Sequence, residues 1–162
     1  MAELAVQDGV DFAVAVWREE GDWGLSLLPL RAAEHLERLV HALRQLPAEG
    51  GSLGMVSVVD ETFLLVRVQG PQVRLLLADS LVAEDCPVGR EAVDTLADAG
   101  ADLSAPGPWL GDLAILEDLG IGPVEMRALC EDAEAFPDEL LGVLAGHLGV
   151  GSAFERALDA AG

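Results

Sequence analysis

Residues 53–79 read LGMVSVVDETFLLVRVQGPQVRLLLAD, in which three short apolar runs, 55–59, 62–68 and 73–78, are separated by polar or Gly/Pro-containing breaks. Rich in Val, Leu and Phe, the runs predict β-strands, and connections this short join only antiparallel neighbours. Upstream, FAVAVW at 12–17 alternates so that Phe12, Val14 and Val16 share one face. An acidic turn at 18–22 leads into a returning strand at 23–28. After Pro29, residues 31–46 carry Leu36, Leu39, Val40, Leu43 and Leu46 at offsets 0, 3, 4, 7 and 10, the spacing of an amphipathic helix laid across a sheet. Arg31, Glu34, Glu37, Arg38, His41 and Arg44 form the opposite side of that helix.

Beyond the sheet the period changes. Pro87 at a first helical position opens a weaker helix to about residue 97, with Val88, Val93 and Leu96 inward. Residues 99–108, AGADLSAPGP, read as a linker. Helices follow. Asp112 caps one bearing Leu113, Leu116 and Leu119, with Gly120 as its stop. Pro123 begins a second, with Met126 and Leu129 inward, and Pro137 a third, with Asp138 and Glu139 at the positive end of its dipole. Ser152 and Glu155 have the capping-box spacing of a fourth. Helices this short must pack on one another or on the sheet. The expectation is an α+β fold: an antiparallel five-stranded sheet with packed helices over residues 1–98, a linker at 99–108, and a compact module of four short helices over 109–162.

One pairing within that sheet carries a question of charge. If the last hairpin closes around residues 69–72, Arg67 faces Arg74. Like charges directly opposed are unfavourable, so the pair is expected to face solvent and splay, or the register to shift. The sharper alternative is a docking point for an anion or a partner's carboxylate.

Charge also bounds the function of the whole chain. Its 162 residues include 29 acids against 9 arginines and no lysine, a net charge of −20. Direct nucleic-acid binding is not expected, because it rests on Lys and Arg displacing counterions from phosphates. A basic protein partner suits such a surface. No apolar run approaches the length of a membrane span, and the acidic start MAELAVQDGVDF lacks the pattern of a secretory signal; a cytoplasmic location is expected. Cys86 and Cys130, with no CxxC pair, read as two reduced thiols, with a bridge between them as the alternative.

Signatures of catalysis or metal binding are incomplete. His35-Leu36-Glu37 matches the H-x-E half of the zinc deaminase motif, but the P-C-x-x-C half is missing. His35, His41 and His147 are not spaced as i, i+4 metal ligands. Gly50, Gly51 and Gly54 precede a strand and lack the lysine of a phosphate-binding loop. A nucleophile assembled from Cys86 or Cys130 with His147 remains a possible enzyme reading. No catalytic residue, metal or cofactor is assigned. Trp17 and Trp23 suit the core; Trp109, beside the linker, either pins the helices to the sheet or awaits a partner.

FAVAVWREEGDW, GMVSVVDETFLLVRV, VRLLLADS, GDLAILEDLGI and above all LCEDAEAFPDELLGVLAGHLGVGSAFERALD resemble the actinobacterial family of tRNA adenosine deaminase-associated proteins. The resemblance runs from about Phe12 to Asp159 and is most specific around Phe136, Pro137, Asp138, Glu139, Leu140 and Leu141. It implies association with the enzyme that converts adenosine to inosine at the tRNA wobble position, and it brings no catalytic residues. The resulting expectation is a non-enzymatic accessory protein that binds another protein, the tRNA adenosine deaminase, through Trp109, Glu131, Asp132, Phe136, Asp138 and Glu139. The alternative is an acidic competitor of tRNA on a basic protein surface. An exposed strand at 23–28 also allows a homodimer.

Overall fold

The computed structural model describes residues 9–46, 50–100, 108–132 and 134–161. At its centre is an antiparallel sheet of six strands: β1 (Val10–Glu19), β2 (Asp22–Leu28), β3 (Ser52–Val58), β4 (Thr62–Gln69), β5 (Gln72–Leu77) and β6 (Leu110–Gly111). Their spatial order is β2-β1-β3-β4-β5-β6. The α+β class is the one expected; the two-residue β6 is an addition, pairing Leu110 with Leu77 and Gly111 with Leu76. Every residue of β3 is buried, and so is all of β4 except Gln69. Covered on both faces, these strands therefore read as continuous apolar runs rather than as an alternation.

One face places Phe12, Val14, Met55, Phe63, Leu65 and Leu76 under the C-terminal helices. These are α4 (Pro123–Glu131), α5 (Pro137–Leu148) and α6 (Gly151–Ala161). Phe154 of α6 meets Phe12 of β1 edge-to-face at 5.9 Å, a favoured aromatic geometry. The other face places Ala13, Ala15, Val56, Leu64, Val66 and Leu75 under α1 (Leu36–Arg44) and α3 (Pro87–Asp98), with the single turn α2 (Ser80–Ala83) between β5 and α3. Leu36, Leu39 and Leu43 of the predicted stripe are buried, while Val40 and Leu46 pack at its margin.

α1 starts five residues later than the periodicity suggests, because a distant carboxylate sets its first turn. Glu91 on α3 accepts the Leu36 amide at 2.8 Å and lies 2.9 Å from Nδ1 of His35, a favourable place for a negative charge. Residues Leu30–Ala32 form a separate 3-10 turn. The capping box expected at Ser152 does not form, since α6 already begins at Gly151 and the Phe154 amide donates to the Val150 carbonyl at 2.9 Å. A cap of that kind occurs at α5 instead, where Oε1 of Glu139 accepts the Phe136 amide at 3.0 Å.

The expectation for the two central arginines is corrected. Arg67 does face Arg74 across β4 and β5, but neither is turned to solvent. Arg67 is only 5% exposed. Its Nη1 donates to the Ile115 carbonyl at 2.9 Å and to Oδ1 of Asp118, and its Nη2 donates to Oδ2 of Asp118 at 2.8 Å. Arg74 donates through Nε to Oδ2 of Asp112 and through Nη2 to the Ala114 carbonyl, both at 2.7 Å. The carboxylates docked there belong to this chain.

The helix expected after Asp112 is absent from the clamped segment. An α-helix would give the Ala114 and Ile115 carbonyls to amides four residues on; here the Ile115 carbonyl accepts from Arg67, and the Ala114 carbonyl accepts from both Arg74 and the Glu117 amide. The segment is left with i to i+3 bonds, Ile115 to Asp112, Glu117 to Ala114 and Leu119 to Leu116, and ends as a 3-10 turn at Glu117–Leu119 with left-handed Gly120 as its stop. The C-terminal part thus holds this turn and three α-helices. Within the expected linker, residues 101–107 lie outside the described residues; Pro108 returns to the sheet, its carbonyl accepting the Ser80 amide at 2.8 Å.

Hydrogen bonds from Arg67 hold the Asp118 carboxyl below its ordinary value despite the opposing effect of burial. Its contribution is therefore present above the unfolded carboxylate pKa of about 4 and is lost as pH falls through the lower folded value. Asp118→Asn should cost about 1–3 kcal/mol at neutral pH. Urea unfolding should show that gap to the wild type narrowing as pH is lowered below about 4.

Candidate functional site

The two thiols are far from a nucleophile's environment. Cys86 belongs to the core under α1 and α3, and Cys130 to the core under α4 to α6, so the sheet lies between them and both are free. Burial pushes the Cys86 thiol up, and burial with the Glu131 charge pushes Cys130 up to about 12. His147 is exposed, with Nε2 3.9 Å from Oε2 of Glu125. The ring of His35 is engaged with Glu91, whose carboxyl burial tends to raise; hydrogen bonds from His35 and Leu36 outweigh that and hold it below its ordinary value. Among the described residues no three His, Cys, Asp or Glu side chains are grouped to hold a metal ion, and no helix is long and apolar enough to cross a membrane.

Among the described residues, two surface features bear on binding. The first is an open groove of about 1290 Å³ along α1, where Arg31, Arg38, Arg44, His35 and His41 are joined by Glu37 and Glu91. The second is the corner between α4 and α5. There Phe136 is 56% exposed, and Glu131, Asp132, Glu134, Asp138 and Glu139 around it in the chain are all exposed. The corner has a defined shape. Oδ1 of Asp132 accepts the Glu134 and Ala135 amides at 3.0 and 3.1 Å, and Glu139 caps α5 from its first turn. Glu131 pairs with Arg127 at 3.1 Å. Val143, 47% exposed, follows on α5 two turns from Phe136.

Five of the six residues named for partner binding thus lie together, at the α4–α5 corner. Trp109 does not join them as a free anchor: it is half-buried against the core under the C-terminal helices, its indole nitrogen buried with no hydrogen-bond partner among the described residues. Arg67 and Arg74 are committed to Asp118 and Asp112. Sequence reasoning gave Asp112 only a capping role and missed Asp118 and Glu91; the partners of all three are distant in the chain and leave no local pattern.

Fold and surface define an acidic α+β protein with a carboxylate-rich apolar corner. The chain belongs to the Rv3753c-like tRNA adenosine deaminase-associated protein family, whose model matches residues 11–151. It is 34% identical over 155 residues to Protein Rv3753c of Mycobacterium tuberculosis (strain ATCC 25618 / H37Rv), covering 93% of this chain and 89% of that protein. No solved structure matches.

The burial of both thiols has a direct readout. Ellman's reagent should leave Cys86 and Cys130 unmodified in the folded protein at neutral pH and titrate both once it is unfolded in denaturant.

Proposed function

We propose that this protein is a non-enzymatic accessory protein that docks onto a tRNA adenosine deaminase in the cytoplasm, using the α4–α5 corner. Family membership supports the choice of partner. The observation that carries the choice of surface is Phe136, more than half exposed where Phe12, Phe63 and Phe154 are buried, and flanked by carboxylates. An exposed aromatic within a charged rim is the anatomy of an interface anchor. The acidic rim calls for a basic surface on the deaminase. Residues 108–162 hold 11 acids and two arginines, a net of −9, and Asp112 and Asp118 are already neutralised from the sheet.

Calorimetric titration against the purified deaminase tests this reading. Binding is expected at low salt and should weaken as salt is raised. Phe136→Ala should reduce affinity by about tenfold or more, with unfolding unchanged because the ring makes little core contact. No binding at low salt would sink the proposal. Displacement by tRNA would favour the second reading, that the same acidic corner competes for the enzyme's basic tRNA surface.

A further inference from the structure

Among the described residues, β2 is an edge that no other strand covers. It is the outermost strand of the sheet, and among the described residues its backbone bonds only to β1. None of its residues is buried, although Trp23, Leu25, Leu27 and Leu28 are apolar. Strand edges are normally blunted by Lys, Pro, inward charge, a bulge or short length. Residues 23–28, WGLSLL, contain no charge and no Pro, and the β1–β2 register runs without a shift over seven pairs. The opposite edge is protected by brevity, β6 being two residues long.

Side-chain contacts also tie β2 to β1. Trp17, paired with Gly24, lies so close over it that a Cβ there would be 2.8 Å from the indole. On the other side the Arg18 guanidinium sits 5.9 Å from the Trp23 ring centre. The ends of the strand carry opposite signs: Asp22, its first residue, pairs with Glu19 across the turn, and Arg31 follows its end beside Leu30, which is 39% exposed.

We infer that β2 pairs antiparallel with β2 of a second copy, joining two sheets about a two-fold axis. Antiparallel pairing brings the acidic turn of each copy toward Leu30 and Arg31 of the other, twice over by symmetry. The uncharged middle of the strand lets two highly acidic bodies meet without opposing like charges at the contact. The pairing covers β2 backbone groups that have no partner among the described residues. It uses a different surface from the α4–α5 corner and does not depend on the deaminase reading.

Sedimentation equilibrium over a range of protein concentrations and two salt levels decides the matter. A dimer of the 17.0 kDa chain is expected. It should tighten as salt is raised, because screening relieves repulsion between two bodies of charge −20 while backbone pairing is little affected. The deaminase complex has the opposite salt dependence, so the two proposals fail separately. Ser26, exposed in mid-strand, is the position to change. Ser26→Glu should weaken the dimer about tenfold or more, whereas Ser26→Thr should keep it; circular dichroism establishes that both are folded. A monomer at every concentration, or a dimer indifferent to Ser26→Glu, would overturn the inference. Open-ended association that weakens with salt would also overturn it, pointing instead to acidic surface seated in the groove along α1.

Discussion

A guanidinium in the middle of a sheet that is covered on both faces has few ways to be tolerated. Removing it from water costs several kcal/mol unless its donors are satisfied and its charge is met. Arg67 solves this with a two-pronged bond to Asp118 and a third donation to the Ile115 carbonyl. Arg74 does the same next to it with Asp112 and Ala114. The two cations then stop being a repulsive pair and become one clamp on residues 112–118. Their donations to the Ala114 and Ile115 carbonyls go with a backbone of tight turns in that segment in place of a helix. Ile115, Leu116 and Ile121, in and just after the clamped segment, are buried in the core.

The sheet separates two cores and two kinds of surface. Under α1 and α3 the packing is done by Leu36, Leu39 and Leu43 together with the Glu91 cap, and most of the outward arginines and histidines lie on that side. Under α4 to α6 the packing is done by Leu141, Leu144, Leu148 and Phe154, and the outward groups are mainly carboxylates. Because the clamp and the Phe12–Phe154 contact hold that second layer to the sheet, the α4–α5 corner is presented by a fixed support. Preorganisation of that kind lowers the ordering cost of binding.

Local pattern was enough for much of this architecture. The strands at β1 to β5, the facing of Arg67 and Arg74, the α1 stripe and the Pro-initiated helices α3, α4 and α5 all follow from periodicity and from turn chemistry within a few residues. What could not be read are features decided by partners 38 to 51 positions away, the clamp on residues 112–118 among them. The Glu91 cap that sets the start of α1, at 55 positions, is of the same kind. β6 was hidden because two residues carry no period. For the surface, the acids and Phe136 were visible in the sequence, but their exposure and the rigid turn that groups them were not, while Trp109 is held inward by packing that its sequence neighbours do not reveal.

The account stands on the α4–α5 corner being the face that meets another protein. Hydrogen exchange on this protein, alone and with the tRNA adenosine deaminase added, addresses that most directly. Slowed exchange on complex formation should centre on amides 131–143, with the groove along α1 unchanged. Protection confined to α1, or no change anywhere in the chain, would contradict it.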